Sequence, residues 1–492
     1  MDAPQSPIDL CFASATEQLR LLEERQIGAL ELLDLHLARI DSVNPAINAV
    51  VTIDADGARE AARRADSANG QRGRLHGLPM TVKECYSVAG MRTTCGFPFL
   101  ADYHPTDDAE AVAQLKQAGA VIFGKTNLPT GAGDHQSFNP LFGTANNPWD
   151  LSKTVGGSSG GSAAAIAAGL SALELGSDIA GSIRVPAHFC GVYGHKPTYG
   201  IVPLGGHIPP LPGEIVPIEM AVCGPLARSA LDLELAMDVL VAPMASASKA
   251  WTVKVPRSRH DRVEDFRVAV WLDDYALDDR CRAELLAYID DLQRVGATVT
   301  IGAKPDFDAW GSFETFFSTL VSIFVALGPE EAGMALKAAA HEHAATGDRY
   351  AAIIERSAQL SHRDYVARAK QRVRLMDAWA RFFENYDVLL CPVSTTTAFP
   401  HDHSHAEAGL LAPVLRTISM GGTETSLADT FLWSSLAAVA NLPATSMPTG
   451  RFVHGLPVGI QIIGPSFDDR TPIRFAQLVE KRLGGFVKPG AI

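Results

Sequence analysis

LGSDIAGSIRVPAHFCGV, residues 175–192, carries a strand-like run into a tight turn and then into a helix start. ALEL, residues 172–175, is strand-like and leads to Gly176, after which Asp178-Ile179-Ala180-Gly181-Ser182 forms a tight turn. Such a turn gathers successive backbone N–H groups around one point, and a serine at its end stands where an acyl carbonyl can be attacked. Just upstream, GGSSGGSAAAIAAG, residues 156–169, places Gly/Ser turn chemistry before an alanine-rich helix. Gly156, Ser158 and Gly160 match the G-x-S-x-G nucleophile elbow, but the approach NNPWDLSKTV has Asn, Pro and Asp where an elbow needs a buried strand. A phosphate loop is excluded because G-x-x-x-x-G-K-[ST] requires a lysine that this run lacks. The plain alternative is a flexible turn with Ser158 or Ser159 as helix N-cap.

Working outward, residues 15–45 repeat apolar positions at i, i+3, i+4 and i+7 and read as two amphipathic helices, closed by Asn44 and Pro45. Strand-like NAVVTI, PMTVKECYSV and AVIFGKTN then alternate with helical runs near 54–68 and 108–118. This order predicts an α/β fold with a parallel or mixed sheet covered by helices. Residues 200–225 are rich in Pro and Gly and read as a long surface loop. FRVAVWL, 266–272, is a further strand, helical patterns dominate to Glu384, and DVLLCPV, PATSMP and VGIQIIGP restore strands. Because the helical run interrupts a strand pattern that later resumes, residues 307–384 read as an inserted helical cap.

Composition narrows the function. With 47% hydrophobic and 20% charged residues, the 492-residue chain can build a sizeable core. A net charge of −13 argues against a groove that tracks phosphates, so no nucleic-acid partner is expected. The seven cysteines are scattered, without a C-x-x-C pair, and read as small buried hydrophobes in a reducing compartment. MDAPQSPIDL lacks the basic and apolar regions of a leader, and no apolar run is expected to reach the roughly 20 residues of a bilayer span, so a cytoplasmic protein without membrane contact is expected.

The blocks GLPMTVKE, GKTNLP, FGTANNPWD, GGSSGGSAAAIAAG, LGSDIAGSIRVPAHFCGV and GHKPTYG together resemble the amidase signature family, with weaker agreement in YDVLLCPV, LAAVANLPATSMPTG and GLPVGIQIIGP. The resemblance covers most of the chain outside the helical middle. It implies one amidase domain over 1–492, built on a large mixed twisted β-sheet with helices on both faces. Within it, N-terminal helices span 1–70, the signature core 75–230 and the cap 307–384. The family hydrolyses amides with a Ser, a cis-configured Ser and a Lys, using no metal and no organic cofactor. Those residues fall here on Ser182 as nucleophile, Ser158 as proton relay and Lys83 as base, with Ile179, Ala180, Gly181 and Ser182 as oxyanion hole. Gly131, Ala132, Gly133, Asp134 and Ser158 are the expected substrate contacts. A serine needs a base within reach, and a lysine among apolar neighbours loses solvation for its charged form, which suits Lys83 to that task. Two departures stand out: Ala180 replaces a usual glycine, which requires a negative φ there or a tolerance of mild strain, and Thr130 replaces a usual glutamate after KTNLP. The expected partner is a small amide substrate and the expected assembly a homodimer. The alternative is the amidase subunit of a tRNA-dependent amidotransferase, against which the PLGGHIPPLPGEIVP insertion speaks.

Three other features are weighed. His401, His403, His405 and Glu407 alternate along HDHSHAE, but without a second ligand cluster they read as a solvated loop, not a zinc site. Lys125 and Lys196 are rival bases and read as surface or structural lysines. Trp310, Phe313, Phe316, Phe317 and Phe324, with Phe307 nearby, read first as core and second as the wall of an acyl or aryl pocket.

Overall fold

The computed structural model describes residues 7–490 apart from 71, 215, 405–414 and 421. Ser14 caps the helix Ala15–Glu23 by accepting from the Glu17 amide, and a second helix follows at Ala29–Ile47. That second helix runs two residues past Pro45 instead of closing there. A proline in the last turn forfeits little but its own hydrogen bond, and the Asn44 side chain accepts from the Ala49 and Val50 amides to tie off the end.

The central sheet has eleven strands. In chain order they are β1 (Val50–Ile53), β2 (Pro79–Lys83), β3 (Val121–Thr126), β4 (Leu173–Asp178), β5 (Tyr193–Lys196), β6 (Val222–Ala227), β7 (Arg267–Val270), β8 (Thr298–Ile301), β9 (Val388–Pro392), β10 (Ala444–Val453) and β11 (Leu456–Ile463). Their spatial order is β1-β3-β2-β4-β6-β5-β10-β11-β9-β7-β8. Strand β2 runs parallel to β3 and β4, whereas β6 is antiparallel to both β4 and β5, so the sheet is mixed. The expected strand 79–88 stops at Lys83, where the chain turns. Strand β8 lies inside a stretch read as helical; at four residues on the sheet edge it is too short for periodicity to register.

Side-chain alternation sorts the two faces. Met80 and Val82 of β2, Leu173 and Leu175 of β4 and Val388 and Leu390 of β9 enter one apolar layer that runs under the whole sheet. The opposite face is divided. Its N-terminal half packs against the helices Gly160–Ala167 and Ala29–Ile47, and its C-terminal half against Phe313, Phe317, Trp379 and Trp433. Period two therefore turns Lys83 toward the helix Gly160–Ala167 and the loop that precedes it. Four helices, Ala309–Leu327, Glu330–Ala344, Arg349–Ser357 and His362–Phe382, occupy the region between β8 and β9.

Two expectations are corrected. Among the described residues, Ala309–Leu327 is long and apolar enough to cross a membrane, contrary to the reading that no run reaches that length. Half of it is buried, because Phe313, Phe316 and Phe317 pack into the core. Residues 200–225 are also more than a surface loop: Ile201, Val202, Ile208 and Met220 are buried.

Candidate active site

Lys83 closes β2 with its ammonium nitrogen wholly enclosed. Nζ lies 2.6 Å from Ser158 Oγ and 2.9 Å from Ser177 Oγ, within hydrogen-bond distance of both. Burial holds its pKa below the ordinary lysine range, with nearby thiols and Asp178 opposing that effect less strongly. Ser158 follows a cis peptide bond from Gly157 and precedes the fully buried helix Gly160–Ala167. A side chain at Gly157 would meet the Asp134 carbonyl oxygen at 2.2 Å, so the Gly/Ser run is tight packing, not slack. Ser159 occupies the N-cap position but makes no side-chain cap bond; its hydroxyl donates instead to the Ser177 carbonyl. The Ser159 amide donates to the Ser182 carbonyl at 3.0 Å, which fastens the two serine loops together.

The turn after β4 is organised by a buried ion pair. Asp178 Oδ1 accepts from the Gly181 amide at 2.9 Å and from Arg184 Nη2 at 2.8 Å, while Oδ2 accepts from the Ile183 amide at 3.0 Å and Arg184 Nε at 3.0 Å. Arg184 continues to the Ser434 carbonyl and the Gln461 side chain. Although burial opposes it, Arg184 holds the Asp178 carboxyl well below its usual range. The Gly181 amide, expected among the oxyanion donors, is thus committed to Asp178. Ile179, Ala180 and Ser182 donate their amides to no protein acceptor among the described residues. Gly181 takes φ 113°, where a side chain would meet Ser434 Oγ at 2.7 Å; Ala180 lies outside the left-handed region, which is why alanine is accommodated at 180 and would not be at 181.

Ser158, Ser177, Ile179 and Ser182 open onto one cavity at the carboxyl ends of the parallel strands β2 and β4. Its outer wall is apolar, from Leu204 and Ile218 of the Pro/Gly-rich segment and from Ile323, Phe324 and Leu327 of the aromatic helix. Phe313, Phe316 and Phe317 of that helix are core, so the aromatic run divides between core and cavity along its length.

The family model described as Amidase matches residues 31–472. The chain belongs to the amidase signature family. It is an enzyme that hydrolyses amide carbon–nitrogen bonds. It is 33% identical to a glutamyl-tRNA(Gln) amidotransferase subunit of Anaeromyxobacter sp. (strain K), over 98% of each chain. It is 31% identical to the indoleacetamide hydrolase of Bradyrhizobium diazoefficiens, over 96% of this chain and 86% of that one. The crystal structure of the glutamyl-tRNA(Gln) amidotransferase subunit from Thermotoga maritima superposes with a TM-score of 0.76 at 27% identity, covering 99% of both chains.

The remaining expected residues of this amidase divide. Gly131 and Ala132 line the cavity, both at positive φ. Gly133 does not line it, and Asp134 is turned away, its carboxylate accepting from Arg416 Nη2 at 2.6 and 2.7 Å. Lys125 is buried and donates to the Arg92 carbonyl at 2.9 Å, and Lys196 is buried and donates to the Leu442 carbonyl at 2.8 Å; both are structural, neither on the surface. His401 contacts the Leu151 carbonyl and His403 stacks on Phe138, while His405 and Glu407 lie outside the described residues. All seven cysteines are buried and free. Two residues at the cavity escape sequence reasoning: Ser177, hidden inside a strand, and His207, inside a segment read as surface. A strand residue one position before an aspartate turn carries no local signal of its neighbours.

Proposed function

We propose that this amidase cleaves small neutral amides with an apolar acyl or aryl group through an acyl-enzyme on Ser182. Neutral Lys83 takes the Ser158 proton while Ser158 takes that of Ser182, and the freed Ser182 oxygen bonds the amide carbon. The carbonyl electron pair moves to oxygen, which the Ile179 and Ala180 amides and that of Ser182 receive. Collapse breaks the C–N bond as the proton returns from Lys83 through Ser158 to the leaving nitrogen, releasing ammonia or an amine. Water repeats the sequence on the ester, yielding the carboxylate and free Ser182. The single observation that carries this reading is the 2.6 Å contact from the enclosed Lys83 amine to Ser158, beside the cavity that Ser182 shares. No metal or organic cofactor takes part in these steps.

A second reading, the amidase subunit of a tRNA-dependent amidotransferase, is favoured by the relative named as such a subunit. Glutamine carries an ammonium and a carboxylate that need charged partners. Among the described cavity-lining residues the one carboxylate, Asp178, is taken by Arg184, and the outer wall is apolar, which supports the hydrolase reading. Ser182→Ala should leave a folded protein whose turnover of aryl and short-chain amides falls by about three orders of magnitude or more. Rapid quenching of wild type with an activated ester should leave acyl mass on the peptide containing Ser182. Glutamine hydrolysis exceeding that of a panel of anilides and primary amides would decide for the second reading.

A further inference from the structure

The proposed reaction leaves two polar side chains at the cavity without a task, Ser177 and His207. His207 packs edge-on against Tyr86, ring centroids 5.2 Å apart, and presents Nε2 to Ser177 Oγ at 2.9 Å. Its placement is firm, because the segment is laced to the residues that follow β2: the Ser87 amide donates to the Gly206 carbonyl at 2.9 Å and the Ile208 amide to the Cys85 carbonyl at 2.9 Å. Nδ1 lies 2.9 Å from the Pro209 carbonyl oxygen. A carbonyl only accepts, so Nδ1 carries the ring proton and Nε2 of the neutral imidazole is an acceptor.

That tautomer decides the direction of the chain of contacts. A serine hydroxyl has one proton, and with Nε2 accepting, the Ser177 proton points to His207. Ser177 Oγ can then only accept from Lys83 Nζ, 2.9 Å away. A neutral amine that donates to Ser177 keeps its lone pair for the other neighbour, Ser158 at 2.6 Å. Without an acceptor at position 207, the Ser177 hydroxyl is free to rotate and donate into the Lys83 lone pair, which caps the base in the state that must receive a proton.

We propose that His207 is a positioning residue that orients the Ser177 hydroxyl, so that the lone pair of Lys83 stays directed at Ser158. This rests on the Ser182, Ser158 and Lys83 reading above, and nothing in the amide-hydrolase chemistry of those three residues requires a histidine.

The groups that surround this relay titrate elsewhere or alike in every variant. Burial pushes His207 down to about 4, Cys85 up to about 11, Cys223 up to about 12 and Tyr86 well above its usual value. Cys95 is also pushed well up, Asp178 is held low by Arg184, and Glu174, pushed up to about 8 by burial with the Lys83 charge opposing, is present in every variant. The acid limb of activity thus compares Lys83 between variants.

The test uses the full-length enzyme on an amide that wild type turns over. His207→Phe keeps a ring against Tyr86 and removes the acceptor; His207→Gln restores an acceptor. We expect His207→Phe to lose about tenfold in kcat with KM within about threefold, and its acid limb to move to lower pH, since the freed hydroxyl stabilises the neutral amine. His207→Gln should retain kcat within about threefold of wild type. In a Ser177→Ala background, His207→Phe should change nothing further. A His207→Phe enzyme with unaltered kcat and acid limb, or equal losses in the Phe and Gln variants, or an effect confined to KM, would overturn the proposal. Ser182→Ala, run alongside, separates the two levels: if it stays active the Ser182 reading itself fails, whereas an inactive Ser182→Ala beside an unaffected His207→Phe refutes His207 alone.

Discussion

Lys83 has to be judged by two equilibria at once. Only its neutral amine can accept a proton, so activity should fall on the acid side through an apparent pKa below the ordinary lysine value of 10.5. Lys83→Arg should not restore turnover, because guanidinium stays protonated throughout the working range, and a pH–rate profile of wild type and variant on one amide measures both expectations. The same shift sets a stability slope. The folded pKa is lowered, so between it and 10.5 the unfolded chain binds the extra proton, and stability rises with pH across that window and is lost as pH falls. Lys83→Met, which cannot be protonated, should abolish amide turnover yet raise Tm near neutral pH and flatten that slope. Thermal melts from pH 6 to 10 test this, and a variant less stable than wild type at every pH would contradict it.

At the scale of an element, the turn from β4 into the helix Arg184–Cys190 depends on Asp178 and Arg184, both fully buried. Arg184→Met leaves a carboxylate enclosed without its partner, and denaturant unfolding should register a loss of about 3–5 kcal/mol. Asp178→Asn combined with Arg184→Met should cost less than the two single changes together, since the pair is removed as a unit. Neighbouring positions in this turn should respond in opposite ways. Gly181→Ala forces a side chain to φ 113° and into Ser434 Oγ at 2.7 Å, so it should displace the turn and lower kcat by about a hundredfold. Ala180→Gly meets no such constraint and should leave kcat within about threefold of wild type. The Pro/Gly-rich segment after β5 shows the limit of composition as a guide: proline and glycine mark a chain without regular hydrogen bonding, not one at the surface. Its Ile208 and Met220 are buried and its His207 reaches Ser177.

For the whole molecule, the aromatic helix Ala309–Leu327 joins stability to specificity. Its first half enters the core, where Phe317 is fully buried against Phe313 and Phe431, and Phe317→Ala should destabilise the fold by about 3–5 kcal/mol. Its second half lends Ile323, Phe324 and Leu327 to the cavity wall. Ile323→Trp should therefore spare the fold, raise KM for bulky anilides by about tenfold and change KM for acetamide-sized substrates little. Paired melts and steady-state kinetics on the two variants separate the roles. If the Trp variant impaired both substrates equally, the assignment of that wall to substrate would be wrong.

What the sequence by itself determined was local in origin. Turn chemistry around Gly156–Ser162 and Asp178–Ser182 and strand patterns such as VLLCP are written in adjacent residues, because sterics and side-chain period act over a few positions. The family blocks pointed to Lys83, Ser158 and Ser182 as the proposed working residues, although no periodicity brings residues 83 and 158 together. Only the tertiary structure decided which groups face one another. The parallel register of β2 on β4 sets Lys83 beside Ser177, and the pairing of Tyr86 with His207 carries a histidine from a proline-rich segment to the same point. The Asp178 carboxylate withdraws Gly181 from the turn's free donors, and Arg416 withdraws Asp134 from the cavity. Each of these outcomes is a contact between segments far apart in the chain, settled by sheet register and by the requirement that buried polar groups find partners, neither of which leaves a mark on the residues nearby.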